Sequence, residues 1–239
     1  MWLSIVSLTH LMNFSMKKKV FIITGANRGL GKAFIDVLIN NDSNFVISIS
    51  RSISEEQYSY SSKNFYFLEA DLSKNNIKEK ITVLKSMIDN EDICFINNAS
   101  IIEPIIKIED LTEDAIDKTI LVNIKSTMLI VKYLLSNFND NKLSFINISS
   151  GAANRAISNW SLYCSSKAFI KMFFNVAESE YKQHKFFNID PGVMDTNMQK
   201  SIRKTDFPDS LTFKDLKLEG KLKLPIDVAK EILNTVLWK

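Results

Sequence analysis

The feature that most constrains the fold is a glycine-rich turn between a predicted strand and a predicted helix near the start of the chain. Residues 20–24 form an apolar, largely β-branched run that is typical of a buried strand. Gly25, Gly29 and Gly31 follow in a short turn, and apolar residues then recur at helical spacing over 33–38. Such a turn places free N–H groups of a helix N-terminus where they can bind a diphosphate. The pattern predicts either a dinucleotide-binding turn or a purely structural strand-to-helix turn.

Predicted strands and helices alternate along the rest of the chain. Further strands are expected over residues 45–50, 64–69, 93–96, 142–148 and 186–189. Helices are expected over 75–89, 111–138, 162–183 and 225–237, and an irregular stretch over 198–224 is expected to form a lid within a substrate loop, 192–224. The alternation predicts an α/β fold: one Rossmann-type domain over 19–239, with a doubly wound parallel β-sheet flanked by helices. We expect residues 1–18 to be a flexible N-terminal extension.

Composition excludes several classes of function. A net charge of +3 without a basic block argues against a nucleic-acid partner. No apolar run reaches the length of about 20 residues that a membrane span needs. The two cysteines, Cys94 and Cys164, form neither a disulfide framework nor a metal-binding spacing, so no metal is expected. We expect a cytoplasmic protein with no membrane partner.

Tyr163 and Lys167 are four residues apart in a predicted helix, so their side chains share one face. A phenol has a pKa of about 10 and exchanges protons poorly at neutral pH. A nearby ammonium lowers that pKa and makes the phenol usable for proton transfer to a carbonyl oxygen. Ser150 ends a predicted strand and could return its hydroxyl beside Tyr163. The alternative is a surface helix that carries the two residues by chance.

The residues after the second predicted strand bear on the choice of cofactor. Arg51 follows Ser50, and no acidic residue occurs before Glu55. At this position of a dinucleotide fold an acid favours NAD, whereas an arginine favours the 2′-phosphate of NADP. Arg28 in the glycine turn could reach the same phosphate, which a guanidinium binds well. The sequence thus predicts NADPH/NADP⁺, with two solvent-exposed arginines as the alternative.

Polar residues also follow the later predicted strands. Asp71 is expected either to accept a hydrogen bond from an adenine amino group or to cap the next helix. The amides in 97–100 could link strands to a cofactor ribose or simply form a turn. Asn123 lies inside a predicted helix, where asparagine is unfavourable and often has another task. The turn 190–196 suits contact with a nicotinamide carboxamide.

Taken together, the runs 24–31 and 97–100 with Asn123, Ser150 and Tyr163-x-x-x-Lys167 resemble the short-chain dehydrogenase/reductase family over about 19–237. The runs 147–153, 160–167 and 191–199 are similar to its sepiapterin reductase-like branch, which includes the bacterial benzil reductases. The resemblance implies NADPH-dependent reduction of a small-molecule carbonyl substrate, a ketone or α-dicarbonyl. It also implies a homodimer or homotetramer.

The resemblance further implies roles for single residues. Tyr163 donates a proton, Lys167 lowers the Tyr163 pKa and holds the nicotinamide ribose, and Ser150 hydrogen-bonds the carbonyl oxygen. Asn123 holds a water that links Lys167 to solvent. The expected cofactor-binding residues are Gly25, Asn27, Arg28, Gly29, Leu30, Gly31, Arg51, Asp71, Leu72, Asn98, Ala99, Ser100, Tyr163, Lys167, Pro191, Gly192, Val193, Met194 and Thr196. The expected substrate contacts are Ser150, Trp160, Tyr163, Met194 and Met198, with Phe213 as a further candidate. The apolar ones could equally be core residues.

Two features depart from the family pattern. Ser100 stands where the family usually has glycine, and the sequence ends soon after the last predicted helix, where relatives continue into a final strand. We expect either a truncated chain or a six-stranded sheet. The pterin-anchoring carboxylate of sepiapterin reductases has no clear counterpart, which favours other carbonyl substrates. The alternatives are a pterin reductase, an NADP-binding sensor without turnover, and an isomerase or dehydratase of the extended branch.

Overall fold

A computed structural model describes residues 19–62 and 64–237, so the expected N-terminal extension lies outside the described residues. The strands are β1 Lys19–Thr24, β2 Asn44–Ser50, β3 Phe65–Glu69, β4 Asp92–Asn97, β5 Leu143–Ile148 and β6 Lys185–Ile189. All neighbouring strands are parallel, in the order β3-β2-β1-β4-β5-β6. The predicted doubly wound α/β sheet is confirmed. Its order reverses direction between β1 and β4, the point at which ligands bind in open α/β sheets.

The helices are α1 Gly29–Leu38, α2 Glu55–Tyr58, α3 Ile77–Lys80, α4 Glu113–Thr119, α5 Ser126–Asn137, α6 Ser161–Glu180, α7 Asn197–Lys204, α8 Ser210–Leu218 and α9 Pro225–Leu237. A π-helical segment, Ile120–Lys125, joins α4 to α5. The resulting long helix, Glu113–Asn137, is long and apolar enough to cross a membrane by length and composition alone. Its residues Ile130, Val131 and Leu134 pack in the core of the fold, which accounts for its apolar character.

The strands are apolar on both faces because the sheet is covered on both sides. Val20 and Ile22 of β1 contribute to one core cluster, which includes apolar residues of α5 and α6. Phe21 and Ile23 contribute to a second cluster, on the opposite side, with residues of α1 and α9. Alternate residues of a strand point to opposite faces, so one apolar run serves both cores. This arrangement leaves the carboxyl ends of the strands for polar loops.

Two predicted segments differ from the structure. The expected helix over 75–89 is only α3 followed by a 3₁₀ segment, Ile81–Ser86. The hydroxyls of Thr82 and Ser86 donate to the carbonyls of Glu79 and Val83, at 2.7 and 2.8 Å. Hydrogen bonds of this local kind compete with a regular helix.

The stretch expected to be irregular, 198–224, contains most of α7 and all of α8. Thr196 caps α7, because its Oγ1 accepts a hydrogen bond from the Gln199 N–H at 3.3 Å. Phe213 of α8 packs against Trp160, with ring centroids 5.1 Å apart. The helices are therefore fixed by an end cap and by a distant aromatic ring, a contact that local sequence pattern does not reveal.

A row of asparagines crosses the sheet beneath its carboxyl edge. Asn97, Asn147 and Asn188 are register partners on β4, β5 and β6. Asn97 Nδ2 donates to Asn147 Oδ1 at 2.9 Å, and Asn147 Nδ2 donates to Asn188 Oδ1 at 2.8 Å. Thr127 of α5 donates to Asn97 Oδ1, and Asn188 donates to Asn175 Oδ1 of α6, at 2.8 and 2.9 Å. This amide ladder ties both flanking helices to the sheet close to the site described below.

Candidate active site

A cleft of about 600 Å³ runs along the carboxyl edge of the sheet. It is lined by every residue that the sequence predicts to bind cofactor or substrate, with two exceptions, Gly31 and Asn123. Both of these lie behind the cleft wall and contact residues that line it: Gly31 packs against Asn98, and Asn123 hydrogen-bonds to Ile101. The cleft therefore joins the glycine turn at one end to Tyr163 at the other.

Gly31 and Gly25 allow the glycine turn to pack closely on the end of β4. A Cβ at Gly31 would lie 2.3 Å from the Gly25 carbonyl oxygen and 2.5 Å from Asn98 Nδ2, so no other residue fits without a shift. Asn98 Nδ2 donates to the carbonyls of Thr24 and Gly25, at 3.0 and 3.1 Å. The Thr24 hydroxyl accepts from the N–H groups of Asn98 and Ala99, both at 3.1 Å. Gly31 thus shapes the turn without lining the cleft, and the amide links neighbouring strands as predicted.

The loop that carries Arg51 is fixed to the same turn. Asn27 Nδ2 donates to Ser52 Oγ at 3.0 Å, and Gln57 Nε2 donates to the Ala26 carbonyl at 2.7 Å. Gln57 is fully buried, and its Oε1 accepts from the Ser54 N–H at 3.1 Å. The loop therefore keeps a fixed position relative to the turn.

This end of the cleft fits the phosphates of a dinucleotide. Arg28 and Arg51 line it, and within the described part of the chain neither forms an ion pair. No side chain caps α1, and no acidic residue lies in its first turn. Free N–H groups, two guanidinium groups and close-packed glycines are the features that bind phosphate. No side-chain carboxylate at the end of β2 competes with them.

Asp71 lies at the same end, in a local turn. Its Oδ1 accepts hydrogen bonds from the Ser73 N–H and hydroxyl, at 2.9 and 2.8 Å. Burial acts to raise the pKa of Asp71, but these hydrogen bonds and the charges of Arg51 and Lys74 hold it below its usual value. Asp71 does not cap α3, which begins after Asn76. The helix-cap alternative is therefore wrong, and the predicted contact with adenine stays a prediction.

Tyr163, Lys167 and Ser150 meet at the other end of the cleft. Tyr163 and Lys167 lie one turn apart on α6 and are 7% and 6% exposed. Lys167 Nζ is 5.6 Å from the centroid of the Tyr163 ring and donates to the Ile148 carbonyl of β5 at 2.8 Å. Ser150 lies two residues after the end of β5, and its side chain hydrogen-bonds Tyr163. The sheet edge and α6 thus bring together the three residues that the sequence predicted.

The pKa values of Tyr163 and Lys167 differ from what the sequence predicted. Burial raises the pKa of Tyr163 to about 12, although the hydrogen bond with Ser150 opposes the increase. Burial lowers the pKa of Lys167 to about 8. The Tyr163 pKa is therefore raised rather than lowered as predicted, because burial dominates and Lys167 is not among the groups that act on the phenol. A phenol with this pKa keeps its proton at neutral pH, which is the form a proton donor needs.

Asn123 lies in the π-helical segment and is buried. Its Oδ1 accepts from the Ile101 N–H, and its Nδ2 donates to the Ile101 carbonyl, both at 2.8 Å. Nδ2 also donates to Ser166 Oγ at 3.0 Å, and Ser166 in turn donates to the Tyr163 carbonyl. The amide therefore connects the β4 loop to α6 beside Tyr163. Its predicted part in a water relay stays a prediction.

Aromatic side chains close the cleft next to Tyr163. The Trp160 ring lies 5.7 Å from the Tyr163 ring, 5.8 Å from Phe207 and 5.1 Å from Phe213. Met194 and Met198 line the same cleft and are partly buried. The structure places all the predicted wall residues on one cleft. Phe207, which the sequence did not single out, packs behind them against Trp160 and Phe213.

Asp190 is a charged residue of the site that sequence reasoning missed. It follows β6, lines the cleft, and its charge acts on both Tyr163 and Lys167. The sequence placed it only in the turn 190–196. The sequence did offer a signal for Asp190. It comes one residue before Pro191 and directly after β6, the strand that neighbours β5.

Comparison with known proteins agrees with this geometry. A family model described as short chain dehydrogenase matches residues 19–206. Benzil reductase ((S)-benzoin forming) of Bacillus cereus is 36% identical, over 89% of this chain and 92% of that protein. Sepiapterin reductase of Bos taurus is 27% identical, over 84% of this chain and 83% of that protein. The resemblance read from the sequence is confirmed.

Solved structures show the same fold. The crystal structure of the KRED1-Pglu enzyme is 28% identical, covers 92% of this chain and 95% of its own, and superposes with a TM-score of 0.83. A structure described as ElxO with NADP bound is 26% identical, covers 91% of this chain and 90% of its own, and has a TM-score of 0.74. The arrangement of the sheet and helices is thus one found in oxidoreductases.

Proposed function

The chain belongs to the short-chain dehydrogenase family, and from that premise we propose that it is an NADPH-dependent reductase of a ketone or α-dicarbonyl. The observation that carries the proposal is the meeting of Tyr163, Lys167 and Ser150 at one end of a cleft whose other end is a glycine turn with two arginines outside any ion pair of the described residues. A benzil-like diketone is the substrate class that the similarity to benzil reductases favours.

The cofactor would lie between the two ends of the cleft. The glycine turn and the N-terminus of α1 would hold its diphosphate, and Arg28 and Arg51 its 2′-phosphate. Asp71 and Leu72 would contact the adenine, Asn98 and Lys167 the riboses, and the turn from Pro191 to Thr196 the nicotinamide. When bound, the reduced nicotinamide supplies a hydride to the carbonyl carbon.

The chain's own residues complete the reaction at the carbonyl oxygen. Tyr163 Oη donates a proton to this oxygen as negative charge develops on it, and the Ser150 hydroxyl donates a hydrogen bond to it. One such oxyanion contact contributes about 3 kcal/mol to a transition state. The Lys167 ammonium stabilises the phenolate that Tyr163 becomes. Trp160 and Phe213, which line the cleft, exclude water and hold the apolar part of the substrate.

The experiment that tests the proposal measures nicotinamide oxidation with NADPH and, separately, NADH, against benzil, a small aliphatic diketone and sepiapterin. We expect fast oxidation of NADPH with benzil and slow oxidation of NADH. A preference for NADH would overturn the cofactor assignment, and turnover of sepiapterin alone would replace the diketone with a pterin. Tight NADPH binding with no turnover of any of the three substrates would favour an NADP-binding sensor instead of an enzyme.

We also propose that the protein assembles as a homodimer or homotetramer in the cytoplasm. Phe169, Met172 and Val176 form an exposed apolar stripe at i, i+3 and i+7 on α6. A second copy of the chain that covers this stripe would remove it from water, and the family commonly forms oligomers. The stripe is on the outer side of the helix that carries Tyr163, so assembly would also stabilise the site.

A further inference from the structure

The Asp190 carboxylate is held at the edge of the sheet beside the catalytic residues. Its Oδ1 accepts a hydrogen bond from the Gly192 N–H at 3.0 Å. Its Oδ2 would be 3.5 Å from a Cβ built on Gly151, the residue after Ser150. Asp190 is exposed to the cleft, and none of the described cations forms an ion pair with it.

The position of Asp190 follows from strand pairing. Ile148 of β5 pairs with Ile189 of β6, and the Ser149 N–H donates to the Ile189 carbonyl at 2.7 Å. The residues that follow each strand therefore lie side by side, Ser149 after β5 and Asp190 after β6, and Ser150 comes next in the chain. The Lys167 ammonium bonds to the carbonyl of Ile148 in the same row. One negative charge thus faces a buried phenol and a buried ammonium.

We propose that Asp190 is a positioning residue that keeps the proton on Tyr163 and Lys167 and so extends carbonyl reduction to higher pH. This proposal rests on the reductase function proposed above. A negative charge favours an ammonium over an amine and a phenol over a phenolate. Asp190 itself is exposed, but both groups on which it acts are buried, so solvent screens this interaction less than one between two surface charges.

The charge matters because reduction consumes a proton. The carbonyl carbon gains a hydride with its electron pair, the carbonyl oxygen gains the Tyr163 proton, and the phenolate that remains needs a protonated Lys167 beside it. Burial lowers the pKa of Lys167 to about 8, and Asp190 is the charge that opposes this decrease. Without Asp190 the ammonium would lose its proton closer to neutral pH.

Other ionisable groups lie on the elements that pack against α6, but they do not replace Asp190. They are Glu113, Asp114, Asp117 and Lys118 of α4, Lys125 of the π segment, Lys185 of β6, and Cys164, Lys171, Glu178 and Glu180 of α6 itself. The strand β5 and the 3₁₀ segment Gly151–Ala153 carry none. Of the described groups, only Asp190 acts electrostatically on both Tyr163 and Lys167, and Cys164 acts on Tyr163 alone.

The test replaces Asp190→Asn, which keeps an oxygen to accept from the Gly192 N–H and removes the charge. We expect the alkaline limb of kcat for carbonyl reduction to move to lower pH by about half a unit or more, with the plateau at low pH unchanged. Glu103→Gln is the matched control, because Glu103 is also an exposed carboxylate that lines the cleft. An unmoved limb, or an equal movement in the control, would overturn the proposal.

A second measurement needs no turnover. The side-chain resonance of Lys167, assigned by its loss in Lys167→Met, is titrated by NMR in lysine-labelled protein with and without Asp190→Asn. We expect Lys167 to lose its proton at lower pH in the variant. Equal titration in both proteins would sink the proposal, even if no carbonyl substrate were turned over and the proposed function itself failed.

Discussion

Replacing Tyr163 is expected to slow carbonyl reduction without weakening cofactor binding. Its raised pKa, about 12, keeps the proton that reduction requires. Tyr163→Phe keeps the ring that packs on Trp160 and removes the hydroxyl group that donates the proton. We expect the rate of NADPH oxidation with a diketone to fall on the order of 10²–10⁴-fold, because general acid catalysis contributes that much. The affinity for NADPH, measured by fluorescence titration, is expected to stay unchanged, and a variant with normal turnover would remove Tyr163 from the mechanism.

We predict that the choice of cofactor depends on Arg51. Its side chain lines the cleft and is exposed, so its removal leaves the fold intact. For Arg51→Ala we expect the KM for NADPH to rise roughly tenfold and that for NADH to stay the same, because a charge-assisted hydrogen bond contributes about 1.5–3 kcal/mol. Arg155→Ala removes another exposed arginine of the cleft and is the control. Equal effects of Arg51→Ala on both cofactors would contradict the assignment.

Residue spacing predicted the catalytic set but not its electrostatics. The four-residue spacing of Tyr163 and Lys167 places them on one face of any helix, so their meeting could be predicted. Their burial depends on tertiary packing: Phe213 of α8 packs on Trp160, which packs on Tyr163, and Lys167 bonds to β5. Burial is the largest cause of both pKa shifts. Asp190 was missed for the same reason, because its charge matters only where β5 and β6 bring it beside Ser150.

At the scale of elements, strands were predicted well because each is a continuous apolar run. The amide ladder was not predicted, because its members are 50 and 41 residues apart and meet only in the register of three strands. The helices α7 and α8 were missed because their packing partners, such as Trp160, lie elsewhere in the sequence. Pairing and packing over long sequence separations, rather than local preference, set these features.

The amide ladder yields a prediction about the stability of the sheet. Asn147 is fully buried and lies between Asn97 and Asn188. Asn147→Leu leaves the Nδ2 of Asn97 without this acceptor and the Oδ1 of Asn188 without this donor. We expect the free energy of unfolding to fall by roughly 1–3 kcal/mol for each buried group left unpaired, measured by urea denaturation. Asn154→Ala, which removes an exposed hydrogen bond to Lys171, is the control and is expected to change it little.

At the scale of the whole molecule, the alternation of strands with helices predicted a doubly wound parallel sheet, whereas the order of the strands comes from their pairing in the structure. Helical connections between parallel strands are right-handed. A glycine turn after the first strand is typical of a strand at the centre of the sheet. The sequence therefore predicts a cleft at the carboxyl edge beside β1. The binding partners of the molecule are harder to predict than its fold. A surface helix face indicates an interface only by the residues that it leaves exposed.

The exposed stripe on α6 is such a face, and it yields the prediction for assembly. Phe169, Met172 and Val176 are 47%, 61% and 45% exposed, and apolar side chains grouped in this way favour a protein interface. We expect the purified protein to have the mass of a dimer or tetramer by light scattering. Charges introduced in Met172→Lys with Val176→Lys are expected to give a monomer, since burying them would be unfavourable.

The control for assembly is Leu218→Lys, which adds a charge at a residue of α8 that is 84% exposed. It should leave the mass unchanged, because Leu218 lies on α8, outside the proposed interface on α6, and exposed leucines are common on protein surfaces. A monomeric parent protein would contradict the proposed assembly outright. An oligomer that survives the double α6 variant would instead place the interface on another surface, and the stripe would then need a different partner.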